Sequence, residues 1–172
     1  MSSDVGQESR KVLPFSEAAR TLHLGALEQE LDRQVASLGN EAVSRDYGLI
    51  KARQQGAYLE KVERLEQGRA EAVETVAEAL LEKRWQEAHP ALKPRFGLGS
   101  EEKEVHRALE DAQSYVLHQE NRELDGLRST FREVRLRFVE DAVDRALRRQ
   151  TFNAQSAKGA IARERSQERR KR

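Results

Sequence analysis

The sequence has no cysteine, and it has few of the residues that fill a large core. Without cysteine, disulfide bonds, cysteine-ligated zinc and thiol catalysis are excluded, and a reducing compartment is compatible with the chain. Aromatic residues make up 5% of the 172 residues, hydrophobic residues 37% and charged residues 35%. Globular domains are usually nearer half apolar and a quarter charged. This composition predicts helices that each bury one narrow stripe and keep their other faces in water.

Long apolar runs are also absent from the sequence. No stretch approaches the roughly 18 apolar residues that a membrane-spanning helix needs. The N-terminal residues lack the apolar region of a secretory signal. We therefore expect an intracellular, cytoplasmic protein without a membrane contact.

Proline occurs at only three positions, Pro14, Pro90 and Pro94, and these divide the chain. The segments predicted from these breaks are a disordered N-terminus (1–14), helical segments with a break near 39–48 (15–88), a Pro/Gly elbow (89–99), a long helix (100–152) and a basic tail (153–172). The basic tail has almost no large apolar residues, so it is predicted to be disordered when unbound.

Serine and glycine residues mark the helix ends within this scheme. Ser16 and Ser100 are suited to cap helices that carry acidic residues in their first turns. After Ser16, apolar residues at helical spacing form one face and predict a single helix. They are Leu24, Leu27, Leu31, Val35 and Leu38. Gly39-Asn40 is a plausible helix stop, and a helix that resumes at Glu41 is the alternative to a longer break.

Both long helical segments have apolar residues at coiled-coil spacing. In the second, Leu117, Leu124, Phe131 and Phe138 repeat every seven residues, with Leu127 and Val134 between them. In the first, the stripe consists of Tyr58, Val62, Leu65, Ala72, Val76 and Ala79, and Arg69 interrupts it. The predicted fold is all-α, with extended helices, coiled-coil-like seams and disordered termini. A long helical hairpin and an end-to-end arrangement are both compatible with these patterns.

The sequence offers little material for catalysis. His23, His89, His106 and His118 show no metal-ligand spacing, and the paired carboxylates stand beside arginines that support exposed helices. Gly97-Leu98-Gly99 lacks the pattern of a phosphate-binding loop. We therefore predict no catalytic, cofactor-binding or metal-binding residue and no enzymatic activity.

Charge is distributed unevenly along the chain. Residues 145–172 contain ten basic and two acidic side chains, a net charge of +8, whereas the other 144 residues have a net charge of −7. Such clusters bind nucleic acid or acidic protein surfaces such as microtubules. The candidate polyanion-binding residues are Arg163, Arg165, Arg169, Arg170, Lys171 and Arg172.

Large apolar residues gather near the elbow. Trp85, Phe96 and Leu98 are candidate interface anchors, since tryptophan often anchors interfaces, although Trp85 packing inside the elbow is equally compatible. The other candidate anchors are the seam residues Leu117, Leu124, Phe131 and Phe138.

The same region resembles small coiled-coil proteins of ciliary and flagellar doublet microtubules. The resemblance covers Ala79-Leu80-Leu81-Glu82-Lys83-Arg84-Trp85, followed by Gly97-Leu98, and the prolines at 90 and 94 depart from it. It implies a non-catalytic structural role in the axoneme, a cytoskeletal assembly, with tubulin or other axonemal proteins as partners. Two alternatives stay open. One is a nucleic-acid-associated protein of an organelle ribosome, phage or plasmid. The other is a soluble coiled-coil adaptor that self-associates.

Overall fold

The computed structural model describes residues 15–88 and 102–170. These residues form four helices and no strand: α1 (Glu17–Arg20), α2 (Ala26–Ser37), α3 (Glu41–Ala88) and α4 (Glu102–Arg170). The all-α fold predicted from the sequence is confirmed. The predicted disordered segment 1–14 and the predicted elbow 89–99 lie outside the described residues.

The described residues pack as two units, and each unit contains part of α3 and part of α4. Unit 1 consists of residues 15–22, 54–88 and 102–128, and unit 2 consists of residues 23–53 and 129–170.

The two long helices are antiparallel within each unit. In unit 1, Lys61 forms an ion pair with Glu123, and Arg84, later in α3, forms one with Asp111, earlier in α4. In unit 2, Tyr47 stacks on Phe138 with ring centroids 6.0 Å apart. Antiparallel pairing of consecutive helices is the arrangement of a helical hairpin.

The N-terminal helix is shorter than the sequence indicated. The Ser16 hydroxyl caps α1 as predicted, and it accepts a hydrogen bond from the Ala19 amide at 3.2 Å. The predicted single helix after Ser16 is wrong, however, because the chain leaves α1 in an extended conformation at Thr21 and α2 begins only after Gly25. This break buries Leu22 and Leu24, whose side chains are 5% and 2% exposed. Gly25 has a φ of 80°, a conformation that L side chains rarely adopt.

The break after α2 is also shorter than predicted. The helix stops at Ser37, and Gly39 has a φ of 59°, as expected for a left-handed C-terminal cap. Of the two alternatives for residues 39–48, the helix that resumes at Glu41 is confirmed and the longer break is wrong, since α3 begins at Glu41. The Asn40 side chain accepts a hydrogen bond from the Val43 amide at 3.2 Å and so caps α3.

Asn40→Ala is expected to destabilise the protein by about 1 kcal/mol, because the first turn of α3 loses its side-chain acceptor. Asn40→Asp is the matched control, since aspartate caps helices as well as asparagine does. Chemical denaturation of the two variants and the parent protein measures the difference. Equal stability of the alanine variant and the parent would show that the cap contributes nothing.

Unit 2 has a compact apolar core made by three helices. Its buried members are Leu31, Val35, Tyr47 and Val139, with Leu27, Val43, Leu136, Phe138 and Val143 packed against them. The stripe of leucines and valines predicted before Gly39 therefore supplies the α2 side of this core.

The residues that α4 buries differ from the predicted seven-residue repeat. In unit 1 they are spaced by four, at Ala108, Ala112, Val116, Glu120 and Leu124. The predicted seam position Leu117 is 39% exposed, and in unit 2 Val134 is 45% exposed. Small alanines and a charged residue thus face the partner helix, and the heptad is not the packing register.

The C-terminal end of α4 extends beyond its predicted limit. The sequence predicted a helix that ends near Phe152 and a disordered tail, whereas α4 continues to Arg170. Residues 153–170 have few breakers and many alanine, arginine, glutamine and glutamate residues, which favour helix. The low number of apolar residues therefore indicated a lack of burial and not a lack of helix.

Candidate interaction surface

A buried ion pair lies at the centre of unit 1. Arg69 of α3 and Glu120 of α4 face each other, and both side chains are 5% exposed. The guanidinium donates from Nε to both carboxylate oxygens at 3.0 Å and from Nη2 to Oε2 at 2.7 Å. The interruption of the apolar stripe at Arg69 is therefore compensated by a carboxylate on the facing helix.

The segment before α2 closes over one side of this pair. The Phe15 ring lies against the Arg69 guanidinium at 4.5 Å, and the Phe15 amide donates to Glu66 at 2.5 Å. Arg20 forms an ion pair with the same Glu66 carboxylate at 2.6 Å. These contacts attach residues 15–20 to α3 through charged and aromatic groups.

Tyr58 connects the same segment to α4 within unit 1. Its side chain is fully buried, and its hydroxyl donates to the Ala19 carbonyl at 2.9 Å. The hydroxyl also accepts from Arg128 at 2.5 Å. All three chain segments of unit 1 therefore meet at one phenol.

Unit 2 contains a second polar contact against its core. Arg135, which is 2% exposed, donates to the Glu28 carboxylate at 3.0 Å, and Arg132 donates to the Leu24 carbonyl at 3.0 Å. Burial raises the pKa of the neighbouring Tyr47 phenol above its ordinary value of 10.0, and the Asp32 carboxylate raises that pKa further. These contacts attach α2 and the residue Leu24 before it to α4.

Unit 1 contains an open cleft of about 380 Å³. Gly68, Ala72 and Val76 of α3 line one wall, and Tyr115 and Val116 of α4 line the other. Four charged residues also line the cleft: Arg69 and Glu120 are bonded to each other, and Arg64 and Glu123 form ion pairs with Glu60 and Lys61. The cleft therefore presents a mainly apolar surface whose charged groups are paired.

The predicted interface anchors have different environments. Leu124 is buried in unit 1 and Phe138 packs against the core of unit 2, so both contribute to the protein's own packing. Trp85 and Phe131 are half-buried, and Leu117 is exposed. The remaining two candidates, Phe96 and Leu98, lie outside the described residues. An anchoring role toward a partner stays a prediction for all of them.

The predicted polyanion-binding residues are in the last turns of α4. Arg163, Arg165, Arg169 and Arg170 are helical and exposed, whereas Lys171 and Arg172 lie outside the described residues. They belong to a longer element, residues 147–170, which we call the C-terminal segment. Every residue of this segment is exposed, including Phe152, whose side chain is 68% exposed.

The C-terminal segment has seven basic and two acidic side chains. Among the described residues, none of its side chains forms an ion pair. At about 1.5 Å per residue its 24 residues make a helix roughly 36 Å long. The other basic residues of the segment, Arg148, Arg149 and Lys158, were counted in the charge of residues 145–172 but were not among the predicted polyanion-binding residues.

Within the described ranges, no three or more histidine, aspartate and glutamate side chains are placed to hold a metal ion. None of the described helices combines the length and apolarity that crossing a membrane requires. Comparisons with protein-family models, with curated proteins and with solved structures return no match for this chain.

Proposed function

We propose that this protein is a non-enzymatic structural component of a macromolecular assembly, and that it docks on a polyanionic surface through the C-terminal segment. The helix α4 belongs to both packed units. Its last 24 residues, 147–170, lie beyond its last partly buried residue, Ala146. In this proposal the protein supplies a basic helix and a packed base that holds it.

The observation that supports the proposal is a fully exposed, basic helix without packing contacts. This helix lacks the main source of helical stability in proteins, which is packing of one face. A net charge of +5 on a fully exposed helix is unfavourable by itself and becomes favourable beside an acidic surface. A polyanionic partner would stabilise the helix and neutralise its charge together.

Two acidic surfaces are compatible with this proposal, the tubulin lattice and nucleic acid. The resemblance to doublet-microtubule proteins favours tubulin, and its helical half, Ala79 to Trp85, does lie in α3. That resemblance stays a prediction, since the comparisons with known proteins return no match. Charge alone does not distinguish the two partners, so both belong in the test.

Truncation after Ala146 is expected to abolish binding to polyanions and to leave both units folded. The truncation removes every residue of the C-terminal segment and no buried residue. Co-sedimentation with microtubules, and fluorescence anisotropy with duplex DNA and single-stranded RNA, measure binding by both proteins across a salt series. Binding by the full chain should weaken steeply as salt rises.

Denaturation of the truncated protein is the control for folding. Cooperative unfolding close to that of the full chain would assign any lost binding to the removed segment. If the full chain binds none of the three polyanions at low salt, or if truncation leaves its affinities unchanged, the proposed function is wrong.

A further inference from the structure

The charges of the last 18 described residues, 153–170, are separated onto opposite faces of the helix. Successive residues of a helix are about 100° apart around its axis. Taking the direction of Gln155 as reference, the five basic residues of the last 18 lie within about 80° of it. They are Lys158, Arg163, Arg165, Arg169 and Arg170. Glu164 and Glu168 lie more than about 130° away, on the opposite face.

The middle of the basic face is formed by small or uncharged side chains. Thr151, Gln155, Gly159, Ala162 and Ser166 follow one another at spacings of three and four and so form one column. A Cβ atom added at Gly159 would have no other atom within 4 Å. This column would let another molecule approach the helix axis closely.

Basic residues flank this column on both sides. Lys158, Arg165 and Arg169 lie on one side, at about 60°, 80° and 40° from Gln155, and Arg163 and Arg170 lie on the other, at about 80° and 60°. The face therefore has two rows of positive charge with a shallow uncharged strip between them. A partner that matches it has two rows of negative charge with a groove between them.

We infer that the C-terminal segment binds duplex DNA in its major groove, with the two basic rows against the two phosphate backbones. This inference rests on the proposed polyanion docking and names the partner. The major groove of B-form DNA is about 12 Å wide, and a helix with its side chains is about 10–12 Å across. Arginine suits this contact because its planar guanidinium can donate two hydrogen bonds to one phosphate.

Other nucleic acids fit this face less well. The major groove of A-form RNA is deep and narrow and does not admit the helix. Single strands are bound largely by stacking of bases on aromatic side chains, and the segment has only Phe152 for this purpose. The carboxylates of an acidic protein surface have no fixed spacing, whereas the two phosphate backbones of duplex DNA run along the groove at a constant separation. The expected order of affinity is therefore duplex DNA first, then duplex RNA, single-stranded DNA and microtubules.

The test compares two variants of the full chain that have the same net charge. The face variant is Arg163→Gln, Arg165→Gln and Arg170→Gln, which removes three charges from the basic rows. The back variant is Asn153→Glu, Ala157→Glu and Ala160→Glu, which lowers the net charge equally on the opposite, exposed face. Fluorescence anisotropy measures binding of both to a 20-base-pair DNA duplex, its duplex RNA equivalent and single-stranded DNA, and co-sedimentation measures binding to microtubules.

Five phosphate contacts predict that log affinity falls with log salt at a slope of about −4.5, or roughly 500-fold between about 50 and 200 mM. The face variant keeps two of the five contacts, so the magnitude of its slope should fall to about 2. The back variant keeps all five contacts, so its slope should keep most of its magnitude. The helix content of both variants, measured by circular dichroism, controls for unfolding of the segment.

Each result decides between the alternatives. Preferential binding of duplex DNA with a selective loss in the face variant supports the inference. Equal losses in both variants, or equal affinity for duplex RNA and single strands, would overturn groove binding. Preference for microtubules would also overturn it and would leave the proposed docking function standing. If the parent binds no polyanion, the proposed function itself fails.

Discussion

Glu120→Ala is expected to destabilise the protein by about 3–5 kcal/mol, because it leaves the Arg69 guanidinium buried without its carboxylate partner. Both side chains are 5% exposed, so water cannot replace the lost contact without opening unit 1. Phe15 lies against the same guanidinium, so the contacts of residues 15–20 with α3 should loosen as well. Urea denaturation followed by circular dichroism measures the change.

The matched control removes both charges together. Arg69→Met with Glu120→Leu replaces the pair by apolar side chains of similar volume, and such exchanges are often neutral or stabilising. The double variant should therefore be more stable than Glu120→Ala alone. If Glu120→Ala lowers the free energy of unfolding by less than about 1 kcal/mol, water reaches Arg69 and the ion pair is not buried in solution.

Leu124→Ala is expected to cost about 2–5 kcal/mol, and Leu117→Ala on the same helix should cost less than about 1 kcal/mol. Leu124 is 1% exposed, so its truncation leaves a cavity, whereas Leu117 is 39% exposed and leaves almost none. The seven-residue repeat in the sequence makes these two leucines equivalent. The pair therefore discriminates between the heptad register and the spacing of four.

Thermal or chemical denaturation of the two leucine variants gives the answer directly. Both substitutions remove the same atoms from the same helix, so helix propensity cancels in the comparison. Equal losses would mean that the heptad is the packing register. A larger loss for Leu117→Ala would mean that its exposed position is covered by another molecule in solution.

Much of the fold could be predicted because its signals are local. Helix ends at Ser16 and Gly39 depend on capping chemistry within a few residues, and the structure has both. The all-α class followed from periodicity and from the scarcity of bulky residues. The end of the first helix could not be predicted this way, because Leu22 and Leu24 are buried from an extended backbone between two helices.

The packing register required long-range information. Arg69 interrupts an apolar stripe, and its partner lies 51 positions further along the chain. The chain has 30 acidic residues, so no local rule selects Glu120 among them. The buried residues Ala108 and Ala112 were also missed, because large apolar residues were expected to form the seam.

The position of the candidate site could be predicted from the sequence, but the arrangement of its charges around the helix could not. Clustering of arginines near the C-terminus made Arg163, Arg165, Arg169 and Arg170 candidate polyanion contacts, and this role stays a prediction. A disordered tail has no faces, so the separation of basic from acidic residues became meaningful only with the helix of α4. Lys158 joins the site for that reason alone.

Hydrogen exchange of the full chain, with and without a saturating 20-base-pair DNA duplex, tests the central claim most directly. Amides of an exposed, unpacked helix exchange quickly, and a bound partner slows them. We predict that DNA slows exchange across residues 147–170 and changes little in the cores of the two units. Unchanged exchange in residues 147–170, with slowing confined to the packed parts of α3 and α4, would contradict the account.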